Sequence, residues 1–358
     1  MVEISPFSPW KLLYWKDRVE QVLSGRIPAP VFVSIDPTNI CNQNCLWCFV
    51  MDYRKANALS LSRRTMFRLI DDLKGRVSAI GYTGGGDPLM NPYTIEVINY
   101  CADKIAQVLT TNGTGWENPS EVKIVAKNCK VIRVSVDAAT KKTYAKVRGS
   151  NLFEKALKFI EGISQEKSSK TEVSVSFMLS PYNYKETLQA TKLFKSLGVD
   201  RVVFKLVQSD LRDVTAKRVG FSTSNFLKEE SSTIKSLIQE AKREETKNFQ
   251  IHFRHPGEFE NMSVEHQKNL YHKCHLTPVA NAGVAADGNV HLCCDRRGDL
   301  ILGNIENTSF WDIWGNAYHK KLINSIKLSE CPARCKLTEM NMIVERAFVN
   351  DEMMWGLL

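Results

Sequence analysis

The sequence has no apolar run long enough to cross a bilayer. It also lacks a basic segment followed by an apolar stretch near its start. These absences set the expectation of a cytoplasmic protein with no membrane partner. No run of five or more basic residues occurs either. Lys and Arg number 48 against 39 Asp and Glu, a formal charge of +9, but the charge reads as a dispersed, solvated surface rather than a gathered patch. With no recognisable RNA-binding module, nucleic acid is not expected as a partner. In a reducing compartment ten cysteines are expected to serve as metal ligands rather than disulfides. A hydrophobic content of 43% suffices for a sizeable core. The 358 residues suggest two domains, or one large domain with an appendage.

What is present begins with the string Cys41-Asn42-Gln43-Asn44-Cys45-Leu46-Trp47-Cys48. It follows an apolar run, Val31-Phe32-Val33-Ser34-Ile35, that reads as a buried strand. Three thiols on one loop can ligate a metal or a cluster but leave a four-coordinate site one ligand short.

Downstream, short apolar runs alternate with amphipathic stretches. Strands are predicted at 31–36, 77–82, 105–110, 130–136, 171–179 and 201–207. Helices are predicted at 61–74, 91–103, 119–127, 151–164, 184–196 and 225–245. Residues 249–253 read as a further strand. Strand then helix, repeated about six times, implies a parallel sheet with helices outside, either a partial barrel or an open doubly wound sheet. In both, ligands bind at the C-terminal ends of strands. Strand two ends in Gly84-Gly85-Gly86-Asp87-Pro88, where backbone can approach a ligand closely. Strand three ends in Thr110-Thr111-Asn112-Gly113. Strand four ends in Ser135-Val136-Asp137, and residues two apart on a strand point to one side, so Ser135 and Asp137 could share a polyol such as a ribose. Arg148 reads as a solvated loop arginine, with contact to an anion as the alternative. Lys205 sits on strand six with its direction unfixed. Residues 1–30 read as a helical lead-in, 31–255 as the barrel and 256–358 as a separate extension.

A second group follows: Cys274, Cys293, Cys331 and Cys335, with Cys294 as an extra thiol. Asp287-Gly288 between apolar residues signals a hairpin that would return Cys293 beside a strand carrying Cys274. Four thiols complete a site for zinc or for an iron–sulfur cluster, and spacing leaves both open. Cys101 and Cys129 read as buried, inert thiols. His272, His275 and His291 read as structural.

Cys41-x3-Cys45-x2-Cys48 after the first strand, with the glycine-rich turn after the second, resembles the radical S-adenosylmethionine (SAM) superfamily. The resemblance implies a partial (β/α)6 TIM barrel. It implies a [4Fe–4S] cluster on Cys41, Cys45 and Cys48, with S-adenosylmethionine at the fourth iron position. It further implies Trp47 near the adenine, Gly84, Gly85, Gly86 and Asp87 at the methionine amino group, and Ser135 and Asp137 at the ribose. The family usually carries Glu where this chain has Asp87. The second cysteine group, with Leu302-Gly303-Asn304-Ile305, Trp311 and Trp314, resembles the twitch form of the SPASM extension. That implies a small α+β domain holding one auxiliary [4Fe–4S] cluster on Cys274, Cys293, Cys331 and Cys335, with Cys294 able to replace Cys293.

The chemistry so implied is radical generation from S-adenosylmethionine and hydrogen abstraction from a small polar substrate. The expected outcome is oxidation (dehydrogenation) or epimerisation of a sugar- or aminocyclitol-like carbon, with Cys294, Asp295 and Arg254 as candidate catalytic or substrate-holding residues. The alternative is a radical SAM peptide-modifying enzyme. A remote alternative is a non-catalytic metal-binding or electron-transfer protein. The implied partners are a small-molecule or peptide substrate and a flavodoxin or ferredoxin as electron donor.

Overall fold

A computed structural model describes residues 9–207, 218–254, 271–293, 296, 298–331, 335 and 337–349. Its strands, in chain order, are β1 (Phe32–Ile35), β2 (Ala79–Tyr82), β3 (Ala106–Thr111), β4 (Val131–Ser135) and β5 (Glu172–Leu179). They continue with β6 (Arg201–Leu206), β7 (Gln250–Arg254), β8 (Asn281–Val284), β9 (Asn289–His291) and β10 (Ile301–Asn304). The fold class is α/β, a partial (β/α)6 barrel with a small α+β extension. The chain forms two compact units, one from Met1–Ile35, Phe67–Ile80 and Gly257–Leu358, the other from Asp36–Met66 and Gly81–Pro256.

In the second unit β3, β4, β5, β6 and β7 pair in that order, all parallel. The periodicity that predicts each strand also sets its two faces. Val173, Val175, Phe177 and Leu179 of β5 and Val202, Phe204 and Leu206 of β6 are buried. The opposite face carries the row Ser135, Ser176, Val203 and His252, matched across four strands. Lys205 shares that face, in register with Met178 and Arg254. This settles the direction that the sequence leaves unfixed.

The helices begin where local chemistry tells them to. Asn118 closes a capping box with Glu121 and Pro119 follows it, which starts the helix Pro119–Asn128. Thr140 accepts from Thr143 N at 3.2 Å and starts Lys141–Arg148. Glu186 holds the approach to that helix, accepting from Ala139 N at 2.7 Å and Thr140 Oγ1 at 3.1 Å.

In the first unit β1 pairs parallel with β8, from Phe32↔Asn281 to Ile35↔Val284. Strands β8 and β9 form the antiparallel hairpin expected at Asp287-Gly288, and β10 adds beside β9. The N-terminal helices pack Leu12 and Val19 against Leu276, Val279 and Val344. Cys274 does not lie on the strand expected for it. It precedes the short helix Thr277–Ala280, because Pro278 suits a first helical turn.

Candidate active site

In the second unit the cysteine loop has little regular structure of its own, so its shape is imposed by what grips it. Asn44 N and Leu46 N donate to Arg148 O and Val147 O, both at 3.0 Å. Gly149, at φ +59°, passes so close that a Cβ would lie 2.5 Å from Asn44 O, which excludes any other residue. Arg54, buried at 8% exposure, donates from Nη1 to Cys41 O at 3.0 Å and from Nη2 to Asn44 Oδ1 at 3.2 Å and to Gln43 O. Arg218 Nη1 donates to Cys48 O at 2.5 Å, and its Nη2 meets Asp52 Oδ2 at 2.8 Å.

Arg148 corrects the reading of a solvated loop arginine. It is buried, and it pairs with Asp137 at 2.7 Å while its Nε donates to Gln43 Oε1 at 2.9 Å. Gln43 Nε2 in turn donates to Tyr144 Oη at 2.6 Å. No local pattern signals this pair, because its partners lie eleven residues apart and meet only through the intervening helix.

Asp137 and Ser135 do not present a matched pair of side chains. Strand β4 ends at Ser135, and Asp137 turns to φ +61°, which breaks the alternation that strand parity assumes. Asp137 is fully buried and its Oδ1 accepts from Met178 N at 2.6 Å while Oδ2 meets Arg148. Its carboxylate is spent inside the protein. Ser135 remains half-buried on the polar face of the sheet.

The glycine turn packs on residues 36–40, the segment just before the loop. Asp87 N donates to Ile40 O at 2.9 Å. A Cβ on Gly86 would lie 2.2 Å from Ile40 O. Gly85 N donates to Asp36 Oδ2 at 3.2 Å. Asp87 is buried, and its carboxylate accepts from Thr111 Oγ1 at 2.9 Å, Asn112 N at 2.6 Å and Leu89 N at 3.0 Å. The acid thus holds the end of β3. Asn112, so placed, sends Nδ2 to Asn42 Oδ1 at 2.9 Å and to Cys41 Sγ at 3.7 Å.

Cys41, Cys45, Cys48 and Trp47 are all half-buried, and the three cysteines are free thiols. Burial pushes Cys45 up to about 11 and also raises Cys41, against the pull of Arg148 on both and of Arg54 on Cys41. Burial opposes the charge on Arg148, but Cys45 and Asp137 outweigh it and hold its pKa above the ordinary value. Three thiols on one loop, with burial opposing the ionisation of Cys41 and Cys45 and guanidinium groups beside them, fit an anionic iron–sulfur cluster that draws its ligands into the thiolate form.

In the first unit Cys274, Cys293, Cys331 and Cys335 line one small cavity, together with Tyr271, Arg296 and the apolar Leu300, Ile326, Leu328 and Leu337. Among the described residues no three His, Cys, Asp or Glu converge on a single ion. Four thiols lining one cavity are a donor set that suits an iron–sulfur cluster or zinc. Burial raises Cys331, with Cys274 adding to it and Arg296 opposing. His275 Nε2 and His272 Nδ1 reach Glu345 at 2.5 and 3.0 Å, and His291 Nδ1 accepts from Gly298 N at 3.2 Å. Cys101 and Cys129 are buried.

Cys294 and Asp295 lie outside the described residues. Arg254 ends β7, its backbone paired with Lys205. Sequence reasoning missed Gln43, Arg54 and Arg218, none of which belongs to a spacing pattern. The cue for Arg54 was only its closeness in sequence to Cys48.

The description Radical SAM superfamily matches residues 35–193, and Iron-sulfur cluster-binding domain (SPASM) matches 274–336. Mycofactocin maturase MftC of Mycobacterium ulcerans is 27% identical over 158 residues, 44% of this chain and 42% of that protein. The corresponding maturase of Mycobacterium tuberculosis is 25% identical, with 40% of its length covered, so the chain spans about two fifths of the length of these curated relatives. GTP 3',8-cyclase of Vibrio cholerae is 22% identical over 275 residues, 73% of this chain and 78% of that protein. The crystal structure of Streptococcus suis SuiB bound to S-adenosylmethionine superposes with a TM-score of 0.65 at 16% identity, covering 89% of this chain and 73% of that one; this likeness concerns the fold. The two matched domains bind a [4Fe–4S] cluster with S-adenosylmethionine and an auxiliary iron–sulfur centre. The chain belongs to the radical SAM superfamily and carries a C-terminal SPASM iron–sulfur cluster-binding domain.

Proposed function

We propose that this radical SAM enzyme modifies a peptide. The observation that carries the reading is the sequence similarity of 44% of the chain to the mycofactocin maturases. The shared fold with SuiB, whose structure was also solved with its precursor peptide SuiA, is compatible with it. The relatives thus favour the peptide alternative over the carbohydrate-like substrate expected first from sequence. Residues 31–255 form the catalytic region in this reading, 256–358 the auxiliary domain and 1–30 a lead-in.

In this proposal Cys41, Cys45 and Cys48 hold the SAM-binding cluster, and Cys274, Cys293, Cys331 and Cys335 hold the auxiliary one. When bound, the cluster and S-adenosylmethionine supply a 5′-deoxyadenosyl radical able to abstract hydrogen from an unactivated C–H bond. The chain's own residues do the rest. Arg54 and Arg218 fix the carbonyls of the loop. Arg148 and Asp137 lock Gln43 and compensate charge. The turn at Gly84, Gly85 and Gly86 presents backbone groups, and Trp47 and Ser135 remain partly open to a ligand. An acidic one-electron donor of the flavodoxin or ferredoxin type would be drawn by the excess of positive charge.

The test is anaerobic reconstitution with a low-potential reductant and a short peptide encoded beside the gene. We expect about eight irons per chain, four for each [4Fe–4S] cluster. Formation of 5′-deoxyadenosine should rise with the peptide, and the peptide should change in mass. Turnover of an aminocyclitol, with the peptide left unchanged, would overturn the reading.

A further inference from the structure

Cys274 Sγ is met by two hydrogen-bonding side chains. Thr277 Oγ1 lies 2.6 Å away and Asn341 Nδ2 lies 3.7 Å away. Both residues are buried, Asn341 at 0% and Thr277 at 3% exposure. The orientation of the Asn341 amide is fixed independently of the sulfur. Its Oδ1 accepts from His275 N at 2.8 Å and Leu276 N at 3.1 Å. Two backbone donors take the carbonyl end, so the NH2 end must face Cys274. The direction of the Thr277 contact follows from chemistry. A ligating thiolate has no proton to give, so the hydroxyl donates. A third contact comes from the turn that opens the helix Thr338–Val344, where Leu337 N donates to Cys335 Sγ at 3.5 Å.

We infer that Thr277 and Asn341 are positioning residues that set the reduction potential of the auxiliary cluster through Cys274 Sγ. The inference rests on the proposed reading of Cys274 as a cluster ligand. Reduction adds negative charge that spreads onto the ligating sulfurs. An N–H or O–H aimed at a sulfur stabilises that charge, so it favours the reduced cluster and makes the potential less negative. The two donors act on the same atom from different elements, Thr277 from the helix directly after Cys274 and Asn341 from the helix Thr338–Val344. Asn341 does a second task with the same side chain, because its Oδ1 fixes the backbone on the far side of Cys274. An auxiliary cluster made easier to reduce is a better acceptor for an electron left on a substrate after hydrogen abstraction.

The test uses the full reconstituted chain with Thr277→Val, which deletes the donor and keeps the shape. Asn341→Asp is the second variant; it keeps the acceptor that holds His275 N and Leu276 N and removes the N–H. Each is read in the intact protein and in a Cys45→Ala background, where the auxiliary cluster contributes the spectrum. EPR at a fixed mediator potential gives the ratio of reduced to oxidised cluster. In Thr277→Val we expect that ratio to fall about tenfold, equivalent to about 59 mV for a one-electron couple, with iron content unchanged. Asn341→Asp should shift the ratio in the same direction. An unchanged ratio in Thr277→Val at full iron content would overturn the role of the donors. Cys274→Ala separates the two levels: undiminished iron in that variant would show that the ligand reading itself had failed.

Discussion

Arg148 Nη1 stands 2.7 Å from Asp137 Oδ2, with both side chains buried. The pair is joined to the cysteine loop by Arg148 Nε, which donates to Gln43 Oε1. A buried ion pair is poor evidence of net stability, but removing one partner strands the other charge. Asp137→Asn should therefore lower stability by about 3 kcal/mol, the size found for such broken pairs. Because the stranded cation bonds the loop through Gln43, iron bound at Cys41, Cys45 and Cys48 should fall as well. Denaturant midpoints and iron per chain test this. Unchanged values for both would show that the pair does not hold the loop.

The fold was legible because its signals are local and periodic. All six barrel strands and the extra strand at 249–253 appear as expected, within a few residues of their predicted ends. The cysteine spacings and the Gly84-Gly85-Gly86 turn were legible for the same reason. What could not be read were the partners of single side chains. Asp137 looked like a strand-end ligand contact, but a left-handed φ and an arginine eleven residues on turned its carboxylate inward. Arg54 carries no pattern at all, and only the folded loop shows its guanidinium facing the carbonyls of Cys41 and Gln43.

Gly86 leaves no room for a side chain. A Cβ there would lie 2.2 Å from Ile40 O and 2.4 Å from the carbonyl carbon of Asn39, both of them backbone atoms. Gly86→Ala must push away the segment that delivers Cys41. We expect 5′-deoxyadenosine formation to drop by at least about tenfold, equal to roughly 1.4 kcal/mol in barrier or binding. Full activity in the variant would mean that the segment moves without cost.

Arg54 should matter to cluster assembly more than to folding of the rest of the chain. Its guanidinium reaches two backbone carbonyls and the Asn44 side chain. Arg54→Met keeps the buried stem and removes the donors. Hydrogen bonds from a charged donor contribute about 1.5–3 kcal/mol, and here the carbonyls freed belong to the loop itself. Iron should fall toward about four per chain, one [4Fe–4S] cluster remaining, while iron at the auxiliary site persists. Equal loss from both sites would point to global unfolding instead.

His319 supplies a pH dependence that does not involve the clusters. It is fully buried, its Nδ1 accepts from Gly315 N at 3.0 Å, and its ring meets Trp314 edge-on at 4.4 Å. Burial lowers its pKa from the usual 6.5 to about 4. The folded chain thus keeps the ring neutral where the unfolded chain protonates it. The stability tied to the neutral ring is complete above the unfolded value, near pH 6.5, and is lost as pH falls toward 4. Each pH unit in that window costs about 1.4 kcal/mol, so about 2 kcal/mol should disappear between pH 6.5 and 5. His319→Gln cannot take up that proton. Urea midpoints of the iron-free protein should fall with pH more steeply for the natural chain than for the variant, and parallel curves would show that His319 already carries its proton inside the fold.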